Sequence, residues 1–447
     1  MSAPGHLRDV VIVGASLAGL RAAEALRAEG FTGNVTLVGA EPYAPYDRPP
    51  LSKQFLTSPS PADTALPVPD GLRASWLLGR AAVRLDPYSR IVTLADGTRL
   101  PYDGLLIATG AAARSGAAPG EPGPVQGVFT LRDRDDATAL RAALTPGRKL
   151  LVVGAGFLGG EVAAAGRSLG LDVTLVEAGA VPLERAVGTE VGAFVGMLHR
   201  EAGIDLRTGT TVAEYGTGPD GALAGVRLAD GRLVAADVAV LALGAVPATG
   251  WLAGSGIEAA GGVPTDSRLR ALFPDGSTVP GVVAAGDAAR VPQPLAGGAT
   301  PALGHWSGAV EQGATAARTL LLGEAAPVFD EVPSFWSDLH GVRLRSVGLP
   351  GLGDTVKVHE CDRDTRRLEV SYHLDGRLVG ALTIGRTSRL AGYRRTLAEH
   401  THESPRYVDT RRPTKESPSP GGSQATGHGA ARSGVRLGSP TRGGAAR

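Results

Sequence analysis

One pattern, an apolar strand, a glycine-rich turn and then a helix, occurs twice in this chain, 140 positions apart, and it limits the possible folds more than any other feature. DVVIVG (9–14) leads into the helical stretch LAGLRAAEALRAE (17–29) and then a second strand, NVTLVG (34–39). KLLVVGAG (149–156) leads into a helical stretch at 157–169 and then DVTLVE (172–177). Each is a βαβ unit, and strands joined in this way are parallel and covered on both faces by helices, which predicts an α/β architecture. GLLIATG (104–110), DVAVLALG (237–244) and VPGVVAAGD (279–287) are further apolar strands ending at glycine, and SGAVEQGATAARTLLL (307–322) predicts a closing helix. From about residue 328 the pattern changes. VRLRSVG, DTVKVHE, RRLEVSYHL and RLVGALTIG read as antiparallel strands, and SRLAGYRRTLAEH as a last helix.

The turns themselves suggest chemistry. In Gly14-Ala15-Ser16-Leu17-Ala18-Gly19, serine holds the second glycine position of a dinucleotide fingerprint, and Glu41 follows the second strand. Gly154-Ala155-Gly156-Phe157-Leu158-Gly159 is complete, and Glu177 comes directly off its strand. Glycine lets the backbone approach a pyrophosphate, the helix N-terminus supplies N–H donors, and the acid accepts from a ribose hydroxyl. A carboxylate at that place repels a 2′-phosphate, so Glu177 predicts NADH rather than NADPH. Two such sites predict two dinucleotides, most economically FAD and NAD. Asp287, closing the AAGD strand end with Gly286, can accept from ribitol hydroxyls or simply cap a turn. The strand ends Thr109-Gly110 and Gly244 join the cofactor-binding set.

Composition restricts the redox chemistry. The single cysteine, Cys361, can build neither a disulfide framework nor an iron–sulfur ligand set, so electrons have to be carried by a bound cofactor. No apolar run reaches the roughly 18 residues of a membrane helix, and a reducing, cytoplasmic setting is expected. The net charge of +1 hides a basic, Gly/Ser/Pro-rich segment at 401–447 with eight Lys/Arg against three Asp/Glu. That segment reads as a solvated, disordered extension, the alternative being a basic arm for an acidic partner.

The set GASLAG, PYDRPPLSK, IATG, GAGFLG, LVE, AAGD, HW…EQG and FWSD resembles the FAD-dependent NADH:ferredoxin reductases of oxygenase and cytochrome P450 chains, the putidaredoxin-reductase-like members of the glutathione-reductase-like fold, over roughly residues 8–398. The resemblance implies two Rossmann-like dinucleotide-binding domains and a small α+β C-terminal domain. An FAD domain would span 1–111 and 248–324, an NAD domain 112–247 and an interface domain 325–400. It implies that Gly14, Ser16, Gly19, Glu41, Arg48, Lys53, Ala82, Arg132, Asp287 and Trp306 contact FAD, and that Gly154, Gly156, Gly159, Glu161 and Glu177 serve NADH. The implied partner is an acidic iron–sulfur ferredoxin bound transiently, with an oxygenase downstream, no nucleic acid, no membrane, and a monomer or weak dimer as the working state. Rubredoxin as acceptor, or NADH sensing of the apoptosis-inducing-factor type, are the alternatives. The chain departs from the family at Gly304, where a Glu is usual, at Gly308, where an Asn is usual, and in an inserted FPDGSTVP at 273–280.

In disulfide reductases of this fold a cysteine pair follows the first βαβ unit. Here the segment is DRPPLSK. Pro49 and Pro50 fix φ and remove two N–H donors, which predicts a stiff wall there. Lys53 is expected to open the next helix and to meet Glu161 from the other dinucleotide unit in an ion pair at the flavin edge, where it would stabilise negative charge. Trp336 is expected between the cofactor and the partner surface. Arg343, Arg345, Arg394 and Arg395 are candidates for a basic patch.

Overall fold

The structure is a computed structural model and describes residues 7–114 and 125–403. The helices used below are α1 (Leu17–Ala28), α2 (Arg134–Ala143), α3 (Phe157–Ser168), α4 (Glu184–Glu201), α5 (Trp306–Leu322) and α6 (Leu390–Glu403). The basic segment lies outside the described residues from 404 onward, and 401–403 complete α6.

The first fingerprint belongs to a six-stranded sheet in the order Arg270–Leu272, Thr278–Ala284, Gly104–Ile107, Asp9–Val13, Asn34–Val38, Ser75–Leu77. All neighbours are parallel except the first pair, a hairpin through the 273–280 segment. Both faces are covered, and successive residues alternate between two cores: Val10, Ile12 and Leu106 on the side of α1 and α5, Val11, Val13, Leu105 and Ile107 on the other. The glycines and alanines of the α1 and α5 stretches let these helices meet closely. A Cβ at Gly313 would lie 2.4 Å from the Ala18 carbonyl oxygen.

The second fingerprint repeats this in a five-stranded parallel sheet, Asp205–Arg207, Asp172–Val176, Lys149–Val153, Val238–Leu241, Val128–Phe129. The chain crosses between the two sheets on a short antiparallel ladder, Ala111–Ala113 against Ala245–Pro247.

The third sheet is antiparallel: Ser334–Leu339, Val342–Gly348, Arg377–Ile384, Arg367–Leu374, Thr355–Asp362. One face packs Leu344, Val370 and Ile384 against Val191, Phe194 and Leu198 of α4, so this sheet is fastened to the second dinucleotide unit. The other face buries Val347 and Ala381 under Leu390 and Leu397 of α6. α4 is broken at Gly188, whose φ of 80° is left-handed, and Tyr372 donates its hydroxyl to the Val187 carbonyl at 2.7 Å across the same interface. No helix among the described residues is long and apolar enough to cross a membrane.

Candidate functional site

Both glycine turns open into one cavity of about 1030 Å³. At the first turn Gly14 has φ 125°, and a Cβ there would meet the Ala108 carbonyl oxygen at 2.0 Å. Gly19 and Gly159 do not line the cavity. A Cβ at either would stand about 2 Å from the carbonyl of the turn's first glycine, so they let helix pack on turn. Ser16 fits because its position opens toward the cavity and needs no bare backbone. Gly154 and Glu177 do not line the cavity either. The Glu177 carboxylate accepts from Ala155 N–H at 2.7 Å and Gly179 N–H at 2.8 Å, which fixes it against the turn. The remaining expected residues do line the cavity: Ala15, Leu17, Ala18, Glu41, Arg48, Lys53, Ala82, Thr109, Gly110, Arg132, Gly156, Leu158, Glu161, Gly244, Gly286, Asp287 and Trp306.

The first turns of α1 and α3 are set up for an anion. Their N-cap residues, Ser16 and Gly156, make no side-chain capping bond, whereas α2 is capped in the ordinary way by Asp133. The two glycine turns, each opening a helix onto this one cavity, fit two pyrophosphates. Around the first, Glu41 accepts from the Tyr46 hydroxyl and the Arg48 guanidinium, and Arg48 also donates to the Arg132 carbonyl at 2.8 Å. Arg132 in turn pairs with Asp287 at 2.7 Å and donates to the Ala111 carbonyl. Each carboxylate keeps unused lone pairs for hydroxyl donors.

The segment 43–55 supplies the wall. Pro49–Ser52 form a 3₁₀ turn and Gln54–Thr57 a single helical turn, with Lys53 between them at φ −123°, ψ −113°, outside helical geometry. Lys53 opens that helical turn as its N-cap, its carbonyl accepting from Leu56 and Thr57 N–H, and its side chain reaches across to α3. Lys53 Nζ lies 2.8 Å from Glu161 Oε2 and 3.2 Å from the Pro49 carbonyl oxygen. Glu161 is buried and has two more donors: Ser52 Oγ at 2.5 Å on Oε2 and Ser337 Oγ at 2.6 Å on Oε1. One carboxylate of the second unit is therefore held by groups from the segment after the first unit and from the third sheet.

The sequence reading missed Ser52 and Ser337. Both lie inside the motifs PPLSK and FWSD, but a serine carries no local sign that it will point at a distant acid. It also missed Asp47, which accepts from Trp306 Nε1 at 2.6 Å. Trp306 meets Trp336 edge-on at 5.8 Å, and Trp336 lines the cavity. His305 is half-buried against Phe335, and desolvation pulls its pKa down to about 4, so it is neutral at pH 7. Gly304, at φ 58°, lies beside Asp287, and Gly308 lies beside Gln312, whose side chain accepts from Gly286 N–H at 2.8 Å. Of the basic candidates, Arg343 faces Asp338 at 3.7 Å and Arg394 faces Glu331 at 3.3 Å, while Arg345 sits directly across from Trp336 in the ladder.

Residues 8–313 match the family model described as pyridine nucleotide-disulphide oxidoreductase, and 334–417 match the reductase C-terminal model. The chain belongs to the pyridine nucleotide-disulphide oxidoreductase family. It is an oxidoreductase of the FAD-containing ferredoxin reductase branch. FAD and a pyridine nucleotide are the cofactors that membership implies, and the two uncapped turns fit them. The chain is 34% identical over 416 residues to the ferredoxin reductase subunit of a 5,5′-dehydrodivanillate O-demethylase from Sphingobium sp. (strain NBRC 103272 / SYK-6), covering 91% of this chain and 98% of that one. It is 35% identical to rhodocoxin reductase of Rhodococcus erythropolis, covering 87% and 89%. The structure is similar to putidaredoxin reductase in its covalent complex with putidaredoxin, with TM-score 0.79, 30% identity, and 88% and 93% of the two chains covered.

Proposed function

We propose that this protein passes electrons from NADH, through FAD, to a small acidic iron–sulfur ferredoxin that supplies a cytochrome P450 or Rieske-type oxygenase. One observation carries the reading. Where the two dinucleotide turns share a cavity, the wall includes Pro49 and the Lys53–Glu161 ion pair, and the chain's one cysteine does not line it but lies exposed on the strand Thr355–Asp362. A dithiol relay has no residues there. FAD, when bound, takes a hydride from a reduced nicotinamide and gives the electrons up one at a time.

The protein's part is binding, positioning and charge. The α1 turn with Glu41, Arg48, Arg132 and Asp287 would hold FAD, using residues 1–111 and 248–324, and the α3 turn with Glu177 would hold the nicotinamide cofactor in 112–247. Glu177 is fixed with both oxygens at the turn, where it would accept from a ribose 2′-hydroxyl and repel a 2′-phosphate; this supports NADH. Lys53 would place positive charge at the edge where negative charge accumulates, and Glu161 orients it. Residues 325–400 would form the partner side, with Trp336 on the route out and Arg345 beside it for an acidic partner.

The test is anaerobic titration of the yellow protein with NADH and NADPH, followed by cytochrome c reduction with and without an added ferredoxin. Bleaching by stoichiometric NADH and a strict ferredoxin requirement are expected. A protein that purifies colourless, or that reduces cytochrome c equally well without ferredoxin, overturns the reading.

A further inference from the structure

Lys53 and Glu161 line two cavities. Besides the dinucleotide cavity, they form part of a second one of about 570 Å³, whose other walls include Gln54, Thr57, Ala164, Arg167, Asp338 and His340. No other described residue lines both. The ion pair is thus a partition between the site of chemistry and a solvent-open pocket, lined mostly by polar residues, at the junction of the three sheet regions.

The chamber's charges balance. Lys53 and Arg167 stand against Glu161 and Asp338, the Arg167 guanidinium is tied to the Ala202 and Leu171 carbonyls, and His340 is bonded to His199 at 2.9 Å. Nothing in it selects an ion of one sign, and a polar space of this size holds water. On the partition, two of the three N–H bonds of Lys53 have acceptors, Glu161 and the Pro49 carbonyl. The third meets no acceptor among the described residues, and Lys53 itself lines the cleft. Of the chain's 45 lysines and arginines, four are lysines, and one of these is here. Arginine does not part with its proton in a protein, and lysine can.

Oxidation of one NADH by two one-electron acceptors yields NAD⁺, two electrons and one proton. The electrons leave with the acceptors, but the proton stays in the cleft, which the two dinucleotides would fill when bound. Resting on the function proposed above, we propose that the Lys53–Glu161 pair is a proton exit. Lys53 gives a proton to Glu161 and takes one from the cleft, and Glu161 passes its proton to water in the second chamber. One proton moves outward per NADH, and the pair returns to its starting state.

Filling the chamber from behind tests this without touching the cleft. Ala164→Trp does so from α3, and Thr57→Trp from the opposite wall in case the first variant fails to fold. In the resting, FAD-loaded full chain, acetic anhydride labelling read by mass spectrometry should reach Lys53, and should fall about tenfold in the tryptophan variants as the solvent path closes, with the exposed Lys149 and Lys357 unchanged. In single-turnover reoxidation by ferricyanide, proton release seen with a pH-indicator dye should keep pace with flavin recolouring in the parent and lag about tenfold behind it in the variants, at unchanged rates of reduction by NADH. Undiminished Lys53 labelling in a filled chamber overturns the proposal, because the chamber is then not the route. So does diminished labelling with prompt proton release. If NADH fails to bleach the parent, the functional reading falls instead, and the labelling arm still decides whether the chamber reaches Lys53.

Discussion

Ser337 Oγ donates to Glu161 Oε1 at 2.6 Å across 176 positions of chain, and both side chains are buried. The strand that carries Ser337 also carries Trp336 on its opposite face, so this bond ties the partner-side strand to the helix bearing the cleft's carboxylate. A hydrogen bond to a buried charge contributes more than a neutral one. Ser337→Ala should lower unfolding stability by about 2 kcal/mol, and Ser337→Thr should restore much of it, as read by denaturant melts of the FAD-loaded protein.

Lys53→Ala leaves Glu161 without its cation. Anaerobic flavin reduction by NADH, followed by stopped-flow at the flavin band, should slow about 10²-fold, the size of effect seen when one charge-stabilising donor is lost. The same change should destabilise the fold by about 3 kcal/mol, since the carboxylate it strands is largely buried. Normal reduction kinetics in this variant would refute the proposed role of Lys53.

Glu177→Ala removes the carboxylate proposed to meet the ribose 2′ position of the nicotinamide cofactor. The kcat/KM ratio of NADH to NADPH should fall by at least about tenfold, a change of about 1.4 kcal/mol. Because Glu177 also accepts from Ala155 and Gly179, some loss with NADH is expected as well. An unchanged ratio of steady-state constants would remove Glu177 from coenzyme choice.

The buried His199 has its pKa lowered to about 3, first by desolvation and then by His340 and Arg200. Its folded pKa lies below the unfolded value of about 6.5, so the unfolded chain binds a proton that the folded one refuses as pH falls. The stability it lends is complete above pH 6.5 and is lost as pH drops toward 3. Between pH 8 and pH 5 the cost should be about 2 kcal/mol, and His199→Gln should flatten that part of the curve in denaturant melts at each pH.

The two dinucleotide turns, the helices after them and the change to antiparallel strands near 328 were legible because they rest on local rules. Apolar period, glycine spacing and chain order decide them before any distant residue is in place. The thiol-free segment and the position of the acid after each second strand were equally plain. Tertiary packing decided where these pieces meet. It brought Lys53, at the start of its helical turn, onto Glu161, left Gly19, Gly154, Gly159 and Glu177 out of the cavity lining, and aimed Ser52 and Ser337 at one carboxylate. A strand or helix is chosen by neighbours a few residues away, whereas a buried carboxylate takes whichever donors three separately folded sheets bring within about 3 Å, and no pattern along the chain records that distance.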